Sequence, residues 1–171
     1  MTTPVTQTNP ASPATPFPQL SESARAASAG ESRYRIDVPI RPARSARVVA
    51  LDERAAAVAR RLAGRPWAHA RFYTGDGDAR LRELDGSAAP LEEVLTGTDV
   101  VVVLATEDGG RAAAAAIGRI CGRRGITTAG VVLGDGFEAA DAVAALRPYA
   151  RVLLLSADEG DAFELLTALR L

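Results

Sequence analysis

From Asp99 to Gly134 the chain reads DVVVVLATEDGGRAAAAAIGRICGRRGITTAGVVLG: an apolar run, an acidic turn with two glycines, an alanine-rich stretch, and a second apolar run. A strand with one face in water alternates apolar and polar residues, so an unbroken apolar run signals a strand covered on both faces. Alanines between two such runs suit a helix lying close against the sheet. Buried strands alternating with helices predict an α/β domain with a doubly wound, mostly parallel sheet in three α/β/α layers.

The same unit recurs on both sides of this centre. RVVAL reads as a strand and ERAAAVARRLAG as a helix, with Ala56, Val58, Ala59 and Leu62 near one face and Gly64 and Pro66 ending it. ARFYTG is the next strand, ARLRELDG a short strand and LEEVLTG a short helix. After the central unit come FEAADAVAALRPYA as helix, RVLLLSA as strand and DAFELLTALRL as the closing helix. Residues 46–171 are therefore expected to form one Rossmann-like domain.

The chain before it differs. Seven of the 10 prolines precede Ala43, and residues 1–32 show almost no hydrophobic period, as expected of a disordered Pro/Ser/Thr-rich tail. In residues 33–45, Tyr34, Ile36, Val38 and Ile40 alternate with Arg33, Arg35, Asp37 and Pro39. This period of two predicts an edge strand or an arm laid on another chain, because Pro39 and Pro42 cannot donate to a ladder. The opening has no basic start followed by an apolar run, and no apolar run approaches the ~18 residues that span a bilayer. A cytoplasmic protein without membrane contact is the expectation.

Composition removes several chemistries. The net charge of −1 gives no global attraction to nucleic acid. Cys121 and His69 are the only residues of their types, so neither a disulfide nor a Cys/His zinc site can be built within one chain. All 20 basic residues are arginine. Walker-type phosphate loops, Schiff-base enzymes, kinases and phospho-receiver domains each use a lysine, so all four are disfavoured.

In an open α/β sheet, ligands bind beyond the carboxyl ends of the strands. Here that rim carries Asp52, Glu53, Asp76, Asp78, Glu107, Asp108, Asp135, Asp158, Glu159 and Asp161. Acidic residues cap helix N-termini and meet the positive end of the helix dipole, which is the reading preferred over a cation site. A phosphate would need those same amides. A carboxylate ~6 Å away at an effective dielectric of ~20 repels a unit anion by roughly 3 kcal/mol, enough to cancel one charge-assisted hydrogen bond. The first strand is followed by DERAAA, without the glycines of a dinucleotide fingerprint. Gly109 and Gly110 precede a helix, but a lone pair serves a corner as well as a phosphate cradle.

Set in order, these units resemble the nucleotide-binding half of the FtsZ/tubulin family. LEEVLTGTDVVVVLATEDGG is similar to that family's short helix, strand and glycine-rich turn; IGRICGRRGITTAGVVLG to its following helix and strand; and AADAVAALRPYARVLLLSADE to the segment ending in its sixth strand. The likeness runs from about Arg47 to Leu171. It departs at Asp52 to Ala57, where the family clusters glycines, and at Asp108 to Arg111, where only Gly109 and Gly110 match the family's longer glycine run. The resemblance would place beyond Leu171 a second domain whose acidic residues activate hydrolysis in a neighbouring subunit, and that domain is expected to be missing. The resemblance thus implies a degenerate relative that keeps the scaffold without triphosphate chemistry.

The expected function is therefore non-catalytic, with no cofactor, through contacts with a protein partner or a second copy. The alternative is a nucleotide-binding protein, for GTP or a dinucleotide, whose phosphate would meet Thr106, Asp108, Gly109, Gly110 and Arg111, with a metal bridging to Asp108 or Glu107. A small enzyme with paired carboxylates is a third class, and no spacing supports it. Arg111 stands in the first helical turn, where a phosphate would lie, and is expected to pair with Glu107 or Asp108 in its place. His69 is expected at an edge or in packing, Cys121 as a small buried hydrophobe, and Trp67 capping the core. Arg60, Arg61, Arg65, Arg123 and Arg124 fall at helix C-termini, where cations favour the dipole.

Overall fold

The computed structural model describes residues 42–75, 79–135 and 138–171. The expected tail and the alternating 33–40 segment lie outside the described residues, as do Asp76 and Asp78; residues 42–45 take no regular structure. The elements run β1 (Ala46–Ala50), α1 (Glu53–Ala63), β2 (Ala70–Gly75), β3 (Arg80–Glu83), β4 (Ala88–Pro90), α2 (Leu91–Val94), β5 (Val100–Ala105), α3 (Arg111–Arg124), β6 (Thr127–Leu133), α4 (Ala140–Leu146), β7 (Ala150–Ala157) and α5 (Glu159–Ala168). They form one sheet of 7 strands in the order β4-β3-β2-β1-β5-β6-β7.

The sheet is mostly parallel, as the sequence predicts. β1 pairs parallel to both β2 and β5, and β5, β6 and β7 continue in parallel. β3 is antiparallel to β2, and β4 to β3. The short β4 has no counterpart in the sequence reading, because three residues ending in proline carry no strand signal of their own. The direction of strand addition reverses at β1, so the crevice between the ends of β1 and β5 is the switch point of this fold.

The side chains of β5 divide the core. Val100, Val102 and Leu104 face one layer, where they meet Ala55, Ala56, Ala59 and Leu62 of α1 and Ala162 and Leu166 of α5. Val101 and Val103 face the other, against Leu91 and Val94 of α2, Ala114, Ile117 and Cys121 of α3, and Leu146 of α4. Each fully buried Val or Leu of this strand contributes about 1.5–3 kcal/mol of transfer free energy. The run is continuous because both faces are dry.

Helix ends follow local chemistry. The side chain of Asp52 caps α1, and the Gly64 N–H closes it on the Arg60 carbonyl at 3.3 Å. α3 stops at Gly125, whose φ of 68° lies in the left-handed region that a side chain disfavours. Three helices are shorter than their sequence patterns. α2 ends at Val94 instead of Gly97; α4 (Ala140–Leu146) ends at Leu146 instead of 150, with Pro148 unable to extend it; α5 stops at Ala168. No helix among the described residues is long and apolar enough to cross a membrane.

Candidate functional site at the switch point

The loops after β1 and β5 meet through one carboxylate. Asp52 Oδ1 accepts from the Ala55 N–H at 2.7 Å, which caps α1, and from the Thr106 hydroxyl at 2.6 Å. Asp52 Oδ2 accepts from the Thr106 N–H at 2.7 Å and more weakly from the Glu107 N–H at 3.4 Å. Thr106 is buried, so its amide and hydroxyl would otherwise be left without water or partner. Two backbone donors just after β5, the amides of Thr106 and Glu107, are thus held by a side chain from the end of β1, while the start of α3 has no side-chain cap.

The two glycines after β5 differ in role. A Cβ built on Gly110 would lie well inside van der Waals contact of the Leu51 side chain, with Cγ and Cδ1 both at 2.9 Å. At Gly109 the same atom meets nothing within 4 Å. Neither has a positive φ. Gly110 is therefore fixed by the close approach of the β1–α1 loop, as a corner is, and not by a left-handed turn. It is also the N-cap position of α3, where no side chain closes the helix.

The remaining acidic residues of the rim go largely to helix starts and ion pairs. Asp108 Oδ1 accepts from the Asp141 N–H at 2.8 Å, supplying α4 with the acceptor its own N-cap residue, Ala139, lacks. Asp158 and Asp161 exchange hydrogen bonds at the start of α5, a reciprocal capping box. Glu53 pairs with Arg60 at 2.8 Å and Glu159 with Arg61 at 2.7 Å. Among the described rim residues, Asp52, Asp108, Asp158 and Asp161 serve helix starts.

Arg111 corrects the sequence reading. It pairs with neither Glu107 nor Asp108; its Nη1 lies 3.5 Å from Asp141 Oδ1, across the gap to α4. Asp108 is turned to the α4 backbone, which leaves Asp141 as the carboxylate facing the guanidinium. Both partners of this pair are more than half exposed, so it adds little stability. An open hollow of about 470 Å³ lies here, lined by Asp108, Gly109, Arg111, Ala112, Ala115 and Asp141. Of the five residues predicted to meet a phosphate, Asp108, Gly109 and Arg111 line this hollow. Thr106 is buried on Asp52 and Gly110 packs on Leu51. Sequence reasoning missed both Asp52's reach into the second loop and Asp141. Among the described residues, no group of three or more His, Cys, Asp or Glu side chains is gathered as a metal site would require.

The other residues singled out lie away from the crevice. His69 is exposed just before β2, and its carbonyl accepts from the Ala46 N–H at 3.0 Å. Cys121 is buried in α3, and that burial pushes its thiol above the ordinary range against the opposing pull of Thr128 and Arg124. The Trp67 indole N–H donates to the Leu62 carbonyl at 2.7 Å, while its ring lies 5.6 Å from that of Phe163. Arg65 stacks over Phe163 at 4.2 Å, and Arg123 and Arg124 both pair with Glu92. Compared with known proteins, the chain matches no family model, and no curated protein matches it.

Proposed function

We propose that this chain is a non-catalytic, FtsZ/tubulin-like domain of the cytoplasm that works through protein contacts and hydrolyses no triphosphate. The observation that carries the reading is the seat of Asp52. Its carboxylate holds the Thr106 amide and hydroxyl and approaches the Glu107 amide, so an anion entering the switch point would have to displace a charge already hydrogen-bonded in place. The acidic rim supports the same reading, since the arginine that lines the hollow, Arg111, already faces a carboxylate, Asp141.

A second reading, nucleotide binding without hydrolysis, draws on the hollow beside the uncapped start of α3. There GTP or a dinucleotide would set a phosphate against Gly109 and Arg111, with a divalent ion bridging to Asp108. Calorimetry with GTP, ATP and NAD, each with and without magnesium, decides between the two. The proposed function predicts no saturable heat at millimolar nucleotide. Micromolar binding that Gly110→Glu abolishes would establish the second reading instead.

A further inference from the structure

The sheet ends differently on its two sides. β4 is 3 residues long and closes with Pro90, which has no N–H to offer another strand. β7 is 8 residues long and contains neither proline nor lysine, the residues that commonly blunt an edge. No further strand pairs beyond it among the described residues. Its apolar side chains are incompletely covered: Val152, Leu153 and Leu154 are half-buried and Leu155 is 51% exposed. Leu153 packs toward the α3 and α4 layer, and Leu155, two residues on, shares its face. An apolar edge of this length is a template for another strand.

Charge selects which strand. Arg147 and Arg151 are exposed at the start of β7, and Asp135, Asp158 and Asp161 are exposed at its end. The Ser156 hydroxyl donates to the Asp135 carbonyl at 3.2 Å, which holds Asp135 at that end. Neither Arg147 nor Arg151 forms an ion pair with a described residue. Two copies of β7 laid parallel would set like charges side by side. Laid antiparallel about a two-fold axis, each basic end meets the other copy's acidic end, and the match occurs twice.

We infer that the β7 edge is a homodimer interface, in which a second copy's β7 pairs antiparallel about Leu153 and joins the two sheets into one. This inference rests on the proposed action through protein contacts and names the partner as a second copy. The paired stretch runs from Arg151 to Leu155, because Ser156, with φ at 57°, bends the strand out of register. In that register Leu155 of each copy lies over the aliphatic stem of the other copy's Arg151.

Sedimentation equilibrium of the full chain tests it, with Leu155→Lys and Arg151→Glu measured beside the wild type. A dimer is expected. Leu155→Lys, which sets two cations opposite each other, should weaken it about tenfold or more, and Arg151→Glu should weaken it by an amount that shrinks as salt rises. Both side chains are exposed, so at protein concentrations too low for the dimer to form the thermal melts should coincide; should Leu155→Lys fail to fold, Arg151→Glu carries the test. A monomer at every concentration overturns the inference, and so does a dimer indifferent to both substitutions. Neither result touches the calorimetric test of function. A dimer that also binds nucleotide would refute the proposed function and leave the interface standing.

Discussion

The two turns at the switch point solve one problem in different ways. After β1, the chain gives the free amides of α1 a carboxylate of its own, Asp52; after β5, it enters α3 through Gly110 with no side-chain cap. A fold that binds phosphate at such a crevice leaves its donors free and uses glycine to let the ligand approach. Here the first amides after β5, those of Thr106 and Glu107, are held by the residue that caps the neighbouring turn, and the close approach at Gly110 is made by Leu51. The contrast shows how a doubly wound sheet can satisfy loop amides at its switch point with its own side chains.

The sharpest way to break the comparison is to empty that seat. Asp52→Ala removes the cap of α1 and strands the buried Thr106 amide, and should cost about 3 kcal/mol, some 6–12 °C in Tm. Asp52→Asn, which keeps an oxygen for Ala55 but offers no charge to Thr106, should lose about half as much. A change under about 0.5 kcal/mol for Asp52→Ala would show that the carboxylate does not join the two loops. Chemical denaturation reads both.

Next come the glycines. Gly110→Ala should destabilise by about 1–3 kcal/mol, because its Cβ must push Leu51 aside. Gly109→Ala, with open space and an ordinary φ, should be neutral or stabilising by up to about 1 kcal/mol. Equal losses at both positions would mean that the turn needs glycine for backbone freedom, as a cradle does.

The smallest effect lies in α3. Burial raises the folded-state pKa of Cys121 above its ordinary value, so the folded chain holds that proton longer than the unfolded one. This contribution to stability is complete below the unfolded pKa and is lost as pH climbs through the raised folded value. Denaturant midpoints should fall above about pH 9, and Cys121→Ala should flatten that fall. An identical alkaline slope in both proteins would contradict the assignment.

Much of the layer order was legible because the informative residues are local. Val100 to Leu104 specify a strand buried on both faces, and Asp52 before an alanine helix specifies a cap. Misses arose where the decisive partner is distant in sequence. Asp52 and Thr106 are 54 residues apart, and Asp108 and Asp141 are 33 apart, so no window joins them. Arg111 likewise faces Asp141, 30 residues on, and not its sequence neighbours. The β3–β4 hairpin escaped because its second strand is held by pairing with β3, not by any propensity of Ala88–Pro90.

The most direct test follows the amide resonances of Thr106 and Glu107 while magnesium and GTP are titrated into the protein. If Asp52 fills the seat, both signals stay in place to millimolar nucleotide, and they move only in Asp52→Ala. A saturable shift of the two amides in the wild-type chain would mean that an anion reaches them, and the account of this crevice would be wrong.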